Sequence, residues 1–114
     1  MKDTDRVCRA ILDGLDVPVV FVDTGHIIRY MNEAAAAQYR KSGGYDLIGQ
    51  GIMDCHNDHS CRIIREIFDR MVNEGVDEVE IYRRPGKIAY MTAVRDGAGA
   101  LLGYYERYET TPDQ

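Results

Sequence analysis

The segment from Cys55 to Cys61 concentrates the residues of this chain that could do chemistry. It runs Cys-His-Asn-Asp-His-Ser-Cys and holds two of the three cysteines and two of the three histidines among 114 residues. Thiolate sulfur and imidazole nitrogen bind zinc and other borderline or soft metals. A thiolate is also a nucleophile and a redox group. Metal binding, haem ligation, thiol redox chemistry and covalent attachment of a chromophore are therefore all open at this segment.

A metal site here would use Cys55, His56, His59 and Cys61 as its ligands. Their spacing differs from the common zinc patterns, in which two separated pairs supply the ligands. Neighbouring residues of an extended segment also point to opposite sides, so Cys55 and His56 would diverge. The residue types favour a structural or regulatory metal, whereas the spacing does not.

A thiol-based function would depend on Cys61, which is expected in the first turn of a long helix. A Cys55–Cys61 disulfide or a reactive thiol would make the segment a redox switch. A small thiol enzyme would use cysteine as nucleophile and histidine as base, with Asp54 or Asp58 available to orient the histidine. No oxyanion-hole motif is evident, so we expect no enzymatic activity.

The same segment also fits a purely structural role at the start of the helix. Asn57, Asp58 or Ser60 would then accept hydrogen bonds from the first backbone N–H groups. Cys61 would pack as a small apolar residue. His26, the third histidine, begins a predicted strand and is expected to be a solvated turn residue.

Composition restricts the function further. Hydrophobic residues make up 45% of the chain and charged residues 29%, which is ordinary for one globular domain. The net charge of -5 argues against nucleic acid and against an anionic membrane surface. No apolar run is long enough for membrane insertion. The odd cysteine count and the polar N-terminus predict a cytoplasmic protein with free thiols.

The pattern of apolar residues predicts an α+β fold. A helix is expected over 4–15, with an apolar stripe formed by Val7, Ile11 and Leu15, and a strand hairpin over 18–31. Asp23-Thr24-Gly25 would form its turn, with Gly25 at positive φ. A short alanine-rich helix is predicted over 33–40. One long helix follows, with an apolar stripe over 63–72 and its end at Gly75. Three antiparallel strands are then predicted over 76–83, 88–95 and 101–109.

The chain resembles the PAS domain family over about residues 5–110. The resemblance depends on the hairpin with its Asn32-Glu33-Ala34 continuation, the Leu47-Ile48-Gly49-Gln50 turn, and the hairpin of residues 95–103. It implies a five-stranded antiparallel sheet with helices on one face and a small cavity beneath them. The stretch Gly49 to His56 is also similar to a bacterial PAS subgroup with a Cys-His pair before the long helix.

The resemblance implies a sensory signal-transduction module that binds a small-molecule ligand or cofactor. Haem is one such cofactor. Haem-binding relatives use a histidine inside the long helix, and the corresponding position of this chain, near Ile64, has no histidine. Haem would therefore need His56, His59 or Cys55 from the preceding loop. The residues expected at the cavity are Cys55, His56, His59, Ile64, Phe68, Tyr90 and Thr92.

The resemblance also implies a division of the chain. Residues 1–16 would form an N-terminal helix that contacts a second copy or a signalling partner domain. Residues 17–110 would form the sensor domain, and 111–114 a frayed tail. Cys8 lies beside the apolar stripe of the first helix and is expected in the core or at a homodimer interface.

Overall fold

The computed structural model describes residues 3–112, apart from the side chain of Cys55. Its sequence-ordered elements are the helices α1 (Asp3–Asp13), α2 (Glu33–Gln38) and α3 (Asp58–Asn73), and the strands β1 (Val20–Asp23), β2 (Ile28–Met31), β3 (Glu78–Arg84), β4 (Lys87–Arg95) and β5 (Leu101–Thr110). Short 3-10 turns connect α2 to α3. None of the helices within residues 3–112 is long and apolar enough to cross a membrane.

The five strands form one antiparallel sheet in the order β2-β1-β5-β4-β3. The hairpin of β1 and β2 therefore joins the three C-terminal strands through β1 and β5. The α+β prediction of a five-stranded antiparallel sheet is confirmed. At most helix and strand ends, the observed bound differs from the predicted one by one or two residues. Hydrogen bonding, and not the apolar pattern, decides where an element ends.

One face of the sheet holds the core. Val22, Met91 and Tyr104 of the sheet form a single buried cluster with Ile67 and Met71 of α3. Ala35 of α2 joins the same cluster. Both helices therefore pack against one face, which leaves the opposite face of β3, β4 and β5 to polar side chains.

Asn32 connects α1 to the sheet and to α2. Its side chain is fully buried at 0% exposure and makes four hydrogen bonds. The side-chain oxygen accepts from the N–H groups of Val19 and Ala35, and the amide nitrogen donates to the carbonyls of Leu12 and Val17. Asn32 is thus the N-cap of α2, and the same residue also fixes the chain that follows α1.

Helix α3 begins and ends as its sequence predicts. The side chain of Asn57 accepts from the N–H of Ser60 at 2.8 Å, so Asn57 is the N-cap among the three candidates. Gly75, at φ 69°, ends the helix in the left-handed region that glycine tolerates best. The cysteine–histidine segment therefore does lie at the entry to the long helix.

The β1–β2 turn differs from its prediction. Asp23 accepts hydrogen bonds from the N–H groups of Gly25 and Ile27, as expected of a turn aspartate. The residue at positive φ is His26, at 65°, and not Gly25. A non-glycine residue there is uncommon, and the contacts of its ring, described below, account for it.

The edge strand β3 also departs from simple alternation. Its pairing with β4 shifts between Glu80 and Tyr82, so Ile81 is an extra residue in the ladder. Just after β5, the N–H of Thr111 donates to the carbonyl of Gly86 in the β3–β4 turn. Residues 113 and 114 of the predicted tail lie outside the described residues, as do residues 1 and 2, and the division at residues 16 and 110 stays a prediction.

Candidate ligand cavity

A partly open cavity of about 480 Å³ lies between the core face of the sheet and the helical side of the molecule. Its apolar walls come from the strands, α3 and the turns between α2 and α3, and they include Val22, Ile28, Met31, Leu47, Ile52, Ile63, Ile64, Ile81 and Met91. Small-molecule sites in proteins enclose about 300–1,000 Å³ and are mostly apolar, with few polar groups. The cavity has the size and walls of such a site.

Two of the residues expected at the cavity line it. Ile64 contributes to its wall from α3, and His56 does so from the loop before α3. Nδ1 of His56 donates to the carbonyl of Ile52 at 2.9 Å, which fixes the ring and leaves Nε2 available. Metal-binding histidines are commonly oriented in this way.

Tyr90 and Thr92 do not line the cavity, and the expectation for them is corrected. The hydroxyl of Thr92 donates to Glu78 at 2.6 Å, and the hydroxyl of Tyr90 lies 3.4 Å from Glu109. Arg107 lies over the Tyr90 ring, 4.4 Å from its centroid. These residues cover the opposite face, because Met91 between them points into the core and side chains alternate along a strand.

Phe68 supports the cavity wall from behind. Its ring meets the ring of His26 edge-on, with 4.7 Å between centroids, and lies 5.8 Å from the ring of Tyr104. Tyr104 lines the cavity. The effect of Phe68 on the cavity is therefore exerted through Tyr104.

Cys61 and His59 differ in burial. Cys61 is buried, and its thiol donates to the carbonyl of Met53 at 3.3 Å. His59 is exposed in the first turn of α3, and the side chain of Cys55 lies outside the described residues. Elsewhere in the described part of the chain, no three His, Cys, Asp or Glu side chains are grouped to hold a metal ion. Metal binding by the four residues stays a prediction.

His26 is not the solvated turn residue that its sequence position suggests. It is half-buried, and its Nδ1 lies 2.8 Å from the hydroxyl oxygen of Tyr104. Burial, and secondarily the charge of Arg65, lowers the pKa of His26, although Asp23 acts in the opposite direction. Burial also raises the pKa of Tyr104, which keeps the phenol protonated.

A cluster of five polar side chains lies at one end of the cavity, and the sequence did not predict it. It consists of Tyr39, Tyr82, Lys87, Glu106 and Tyr108, which all line the cavity. The hydroxyl of Tyr108 donates to Glu106 at 2.6 Å. Burial raises the pKa of Tyr108, and hydrogen bonding to Glu106 and the neighbouring Tyr39 acts in the same direction. Nζ of Lys87 lies 3.9 Å from the centroid of the Tyr108 ring.

Two sequence features bring these side chains together. Tyr104, Glu106 and Tyr108 recur with period two along β5, so they share the core face of the strand. The extra residue at Ile81 lets Tyr82 reach the cavity as well, although strict alternation predicts Tyr82 on the outer face. The alternation along β5 can be seen in the sequence, whereas the extra residue in β3 cannot.

The cysteine of α1 is exposed. Cys8, expected in the core or at a homodimer interface, lies with Asp5, Arg9, Leu12 and Tyr30 around a shallow depression between α1 and β2. It is therefore not a core residue of this chain.

Comparison with known proteins agrees with the fold. A family model described as "PAS domain" matches residues 8–109. The chain belongs to the PAS domain family, a family of sensor domains. None of the curated protein sequences compared with it is significantly similar.

Solved structures similar to this chain share the same fold. A C-terminal domain from Streptococcus mutans is 25% identical, with a TM-score of 0.73 over 93% of this chain and 84% of that chain. The PAS domain of BvgS from Bordetella pertussis is 15% identical, with a TM-score of 0.67 over 99% and 90%. A sensory box sensor histidine kinase from Vibrio cholerae is 13% identical, with a TM-score of 0.62 over 97% and 94%.

Proposed function

We propose that this protein is a non-catalytic, cytoplasmic sensory module that binds a small molecule in its cavity and signals through a homodimer. The observation behind the proposal is the cavity of about 480 Å³, apolar along its walls and polar at one end. Its described lining residues supply hydrogen-bond donors, one ammonium and one carboxylate, which suits recognition of a ligand.

The signalling contact in this proposal is α1. Asp13 accepts hydrogen bonds from the Tyr30 hydroxyl and the Glu33 N–H, so the end of α1 is held against the domain. Val7 and Ile11, on the opposite side of the helix, are 53% and 61% exposed. An exposed apolar stripe at helical spacing is typical of an interface, and a second copy offers a matching stripe.

Ligand binding is tested by filling the cavity. We expect native mass spectrometry of the purified protein to show a bound small molecule, and Ile64→Trp to remove it. Ile48→Trp is the control, because Ile48 is 39% exposed and lies outside the cavity wall. If no molecule co-purifies and a fragment screen by NMR moves no cavity resonance, the ligand-binding proposal is wrong.

Dimerisation is tested by placing charge in the stripe. Ile11→Glu should convert a dimer into a monomer in sedimentation analysis, because a buried unpaired carboxylate is costly. Arg6→Glu is the control, since Arg6 is 76% exposed and its ion pair is with Asp3 of the same helix. A wild-type protein that is monomeric at high concentration would favour a partner domain over a second copy.

A haem- or metal-binding sensor is the second candidate, favoured by the orientation of His56. Its Nδ1–H donates to a backbone carbonyl, so Nε2 is the nitrogen available to bind a haem iron or another metal. We expect haem titration to give a visible band that His56→Ala removes and His59→Ala retains. Equal loss in both variants, or no band in wild type, would argue against this candidate.

A further inference from the structure

We propose that the polar end of the cavity is an anion site and that the ligand is an amphiphilic monoanion: an apolar body with a carboxylate head at Lys87. This inference deepens the proposed function and depends on it. It follows from the different surroundings of the two charged side chains that line the cavity, Lys87 and Glu106.

Lys87 has ring faces for neighbours but no counter-ion. Its Nζ lies 3.9 Å from the centroid of the Tyr108 ring and 5.9 Å from that of the Tyr82 ring. Within residues 3–112, its ammonium makes no ion pair and donates no hydrogen bond to protein. An ammonium with three unused donors, on a half-buried lysine that lines a cavity, is complementary to an anion.

Glu106 differs because its charge already has a partner. Its carboxylate accepts the Tyr108 hydroxyl at 2.6 Å. A hydrogen bond to an ionised acceptor is about twice as strong as one between neutral groups. The carboxylate is therefore satisfied by the protein, whereas the ammonium is left for the ligand.

The rest of the cavity determines the body of the ligand. Beyond the polar end, the walls include Met31, Leu47, Ile64 and Met91. A wholly polar ligand would lose hydrogen bonds with water against these walls without replacing them. A purely apolar ligand would take the Lys87 ammonium out of water without an acceptor. Only a ligand with both parts satisfies both ends of the cavity.

An organic cation is the main competitor. The rings of Tyr82 and Tyr108 with the Glu106 carboxylate would attract one. Lys87 already occupies the ring faces, however, so an incoming cation would have to displace it and would be repelled by it. The charge on Lys87 therefore favours the anion.

The test uses three probes of equal chain length: octanoate, octylammonium and octanol. Calorimetric titration of the full chain should show octanoate binding most tightly. Lys87→Gln should weaken octanoate about 10- to 100-fold and leave octanol unchanged, because one charge-assisted contact is lost. Lys41→Gln is the matched control, because Lys41 is exposed and does not itself line the cavity, and it should have no effect. Glu106→Gln should leave octanoate binding unchanged or strengthen it.

Each contrary result identifies what is wrong. Tighter binding of octylammonium, or equal binding of octanol, would overturn the anion site while the cavity remained a ligand site. Failure of all three probes to bind would also overturn this inference. The proposed function is tested separately, by the co-purification and Ile64→Trp experiments, so that its failure can be distinguished from failure of the anion site. The melting temperature of Lys87→Gln shows that any loss of binding is not a loss of fold.

Discussion

The hydroxyl oxygen of Tyr104 lies 2.8 Å from Nδ1 of His26, and this contact joins the centre of the sheet to the β1–β2 turn. Tyr104 lines the cavity, and the backbone carbonyl of His26 accepts the N–H of Ile52 at 2.8 Å. The same histidine therefore connects a cavity tyrosine to the loop that holds His56. Its left-handed backbone is the conformation from which both contacts are made.

Removing this hydrogen bond should lower stability. Tyr104→Phe leaves a half-buried imidazole nitrogen without its partner, and we expect a loss of about 1–2 kcal/mol in the free energy of unfolding. Urea denaturation measures it. Tyr105→Phe is the matched control, because the Tyr105 hydroxyl makes no hydrogen bond within the described residues, and should cost less than about 0.5 kcal/mol. Equal losses would show that the contact adds nothing.

Stability should depend on the protonation of His26. Its pKa is below the ordinary value of 6.5, mainly because the ring is buried. The folded state therefore favours the neutral ring, and the stability it contributes is present above about pH 6.5 and is lost as pH falls through the folded pKa. We expect the difference in unfolding free energy between wild type and His26→Asn to shrink from pH 7.5 to pH 5. Asparagine tolerates the left-handed backbone, so the comparison isolates the ring. A difference that is constant with pH would contradict this expectation.

The ion network on the outer face should stabilise the three C-terminal strands. Arg107 forms two 2.8 Å contacts with Glu78 and one with Glu109. The hydrogen bonds of Arg107 and Thr92 lower the pKa of Glu78 to about 2. A depressed carboxyl pKa stabilises the fold above the unfolded value, 4.5, and this contribution is lost as pH falls towards 2.

Glu78→Gln should therefore cost about 1 kcal/mol at pH 7, with the difference from wild type vanishing near pH 2. Urea denaturation across this pH range measures it. Glu80→Gln is the control, because the Glu80–Arg83 pair is more exposed, at 41% and 60%, and should matter less than about 0.5 kcal/mol. A larger loss of stability in Glu80→Gln than in Glu78→Gln would contradict the greater importance of the Glu78–Arg107 pair.

The same substitution should be costly at Asn32 and tolerated at Asn57. Asn32→Asp places a carboxylate oxygen against the carbonyls of Leu12 and Val17, and we expect a loss of about 3 kcal/mol or more. Asn57→Asp keeps an acceptor at the exposed start of α3, where aspartate caps well, and should change stability by less than about 0.5 kcal/mol. Thermal unfolding measures both. A tolerated Asn32→Asp would mean that the amide donors of Asn32 are dispensable.

Local chemistry in the sequence determined the order of elements. The caps at Asn32 and Asn57, the turn at Asp23, the stop at Gly75 and the period-two strands are all decided by nearest neighbours along the chain. For this reason the five-stranded sheet, its helices and the PAS resemblance could be predicted. The location of the cysteine–histidine segment before α3 followed from the same patterns, although its chemistry did not.

Only the tertiary structure decided which side chains meet. Tyr90 and Thr92 lie on the outer face, since the phase of a strand relative to the core depends on packing between elements. The contact of His26 with Tyr104 joins positions 78 residues apart, and the group around Lys87 depends on an extra residue in β3. Contacts over such separations leave no local pattern, so the chain alone could indicate a cavity but not the residues that give it its charge.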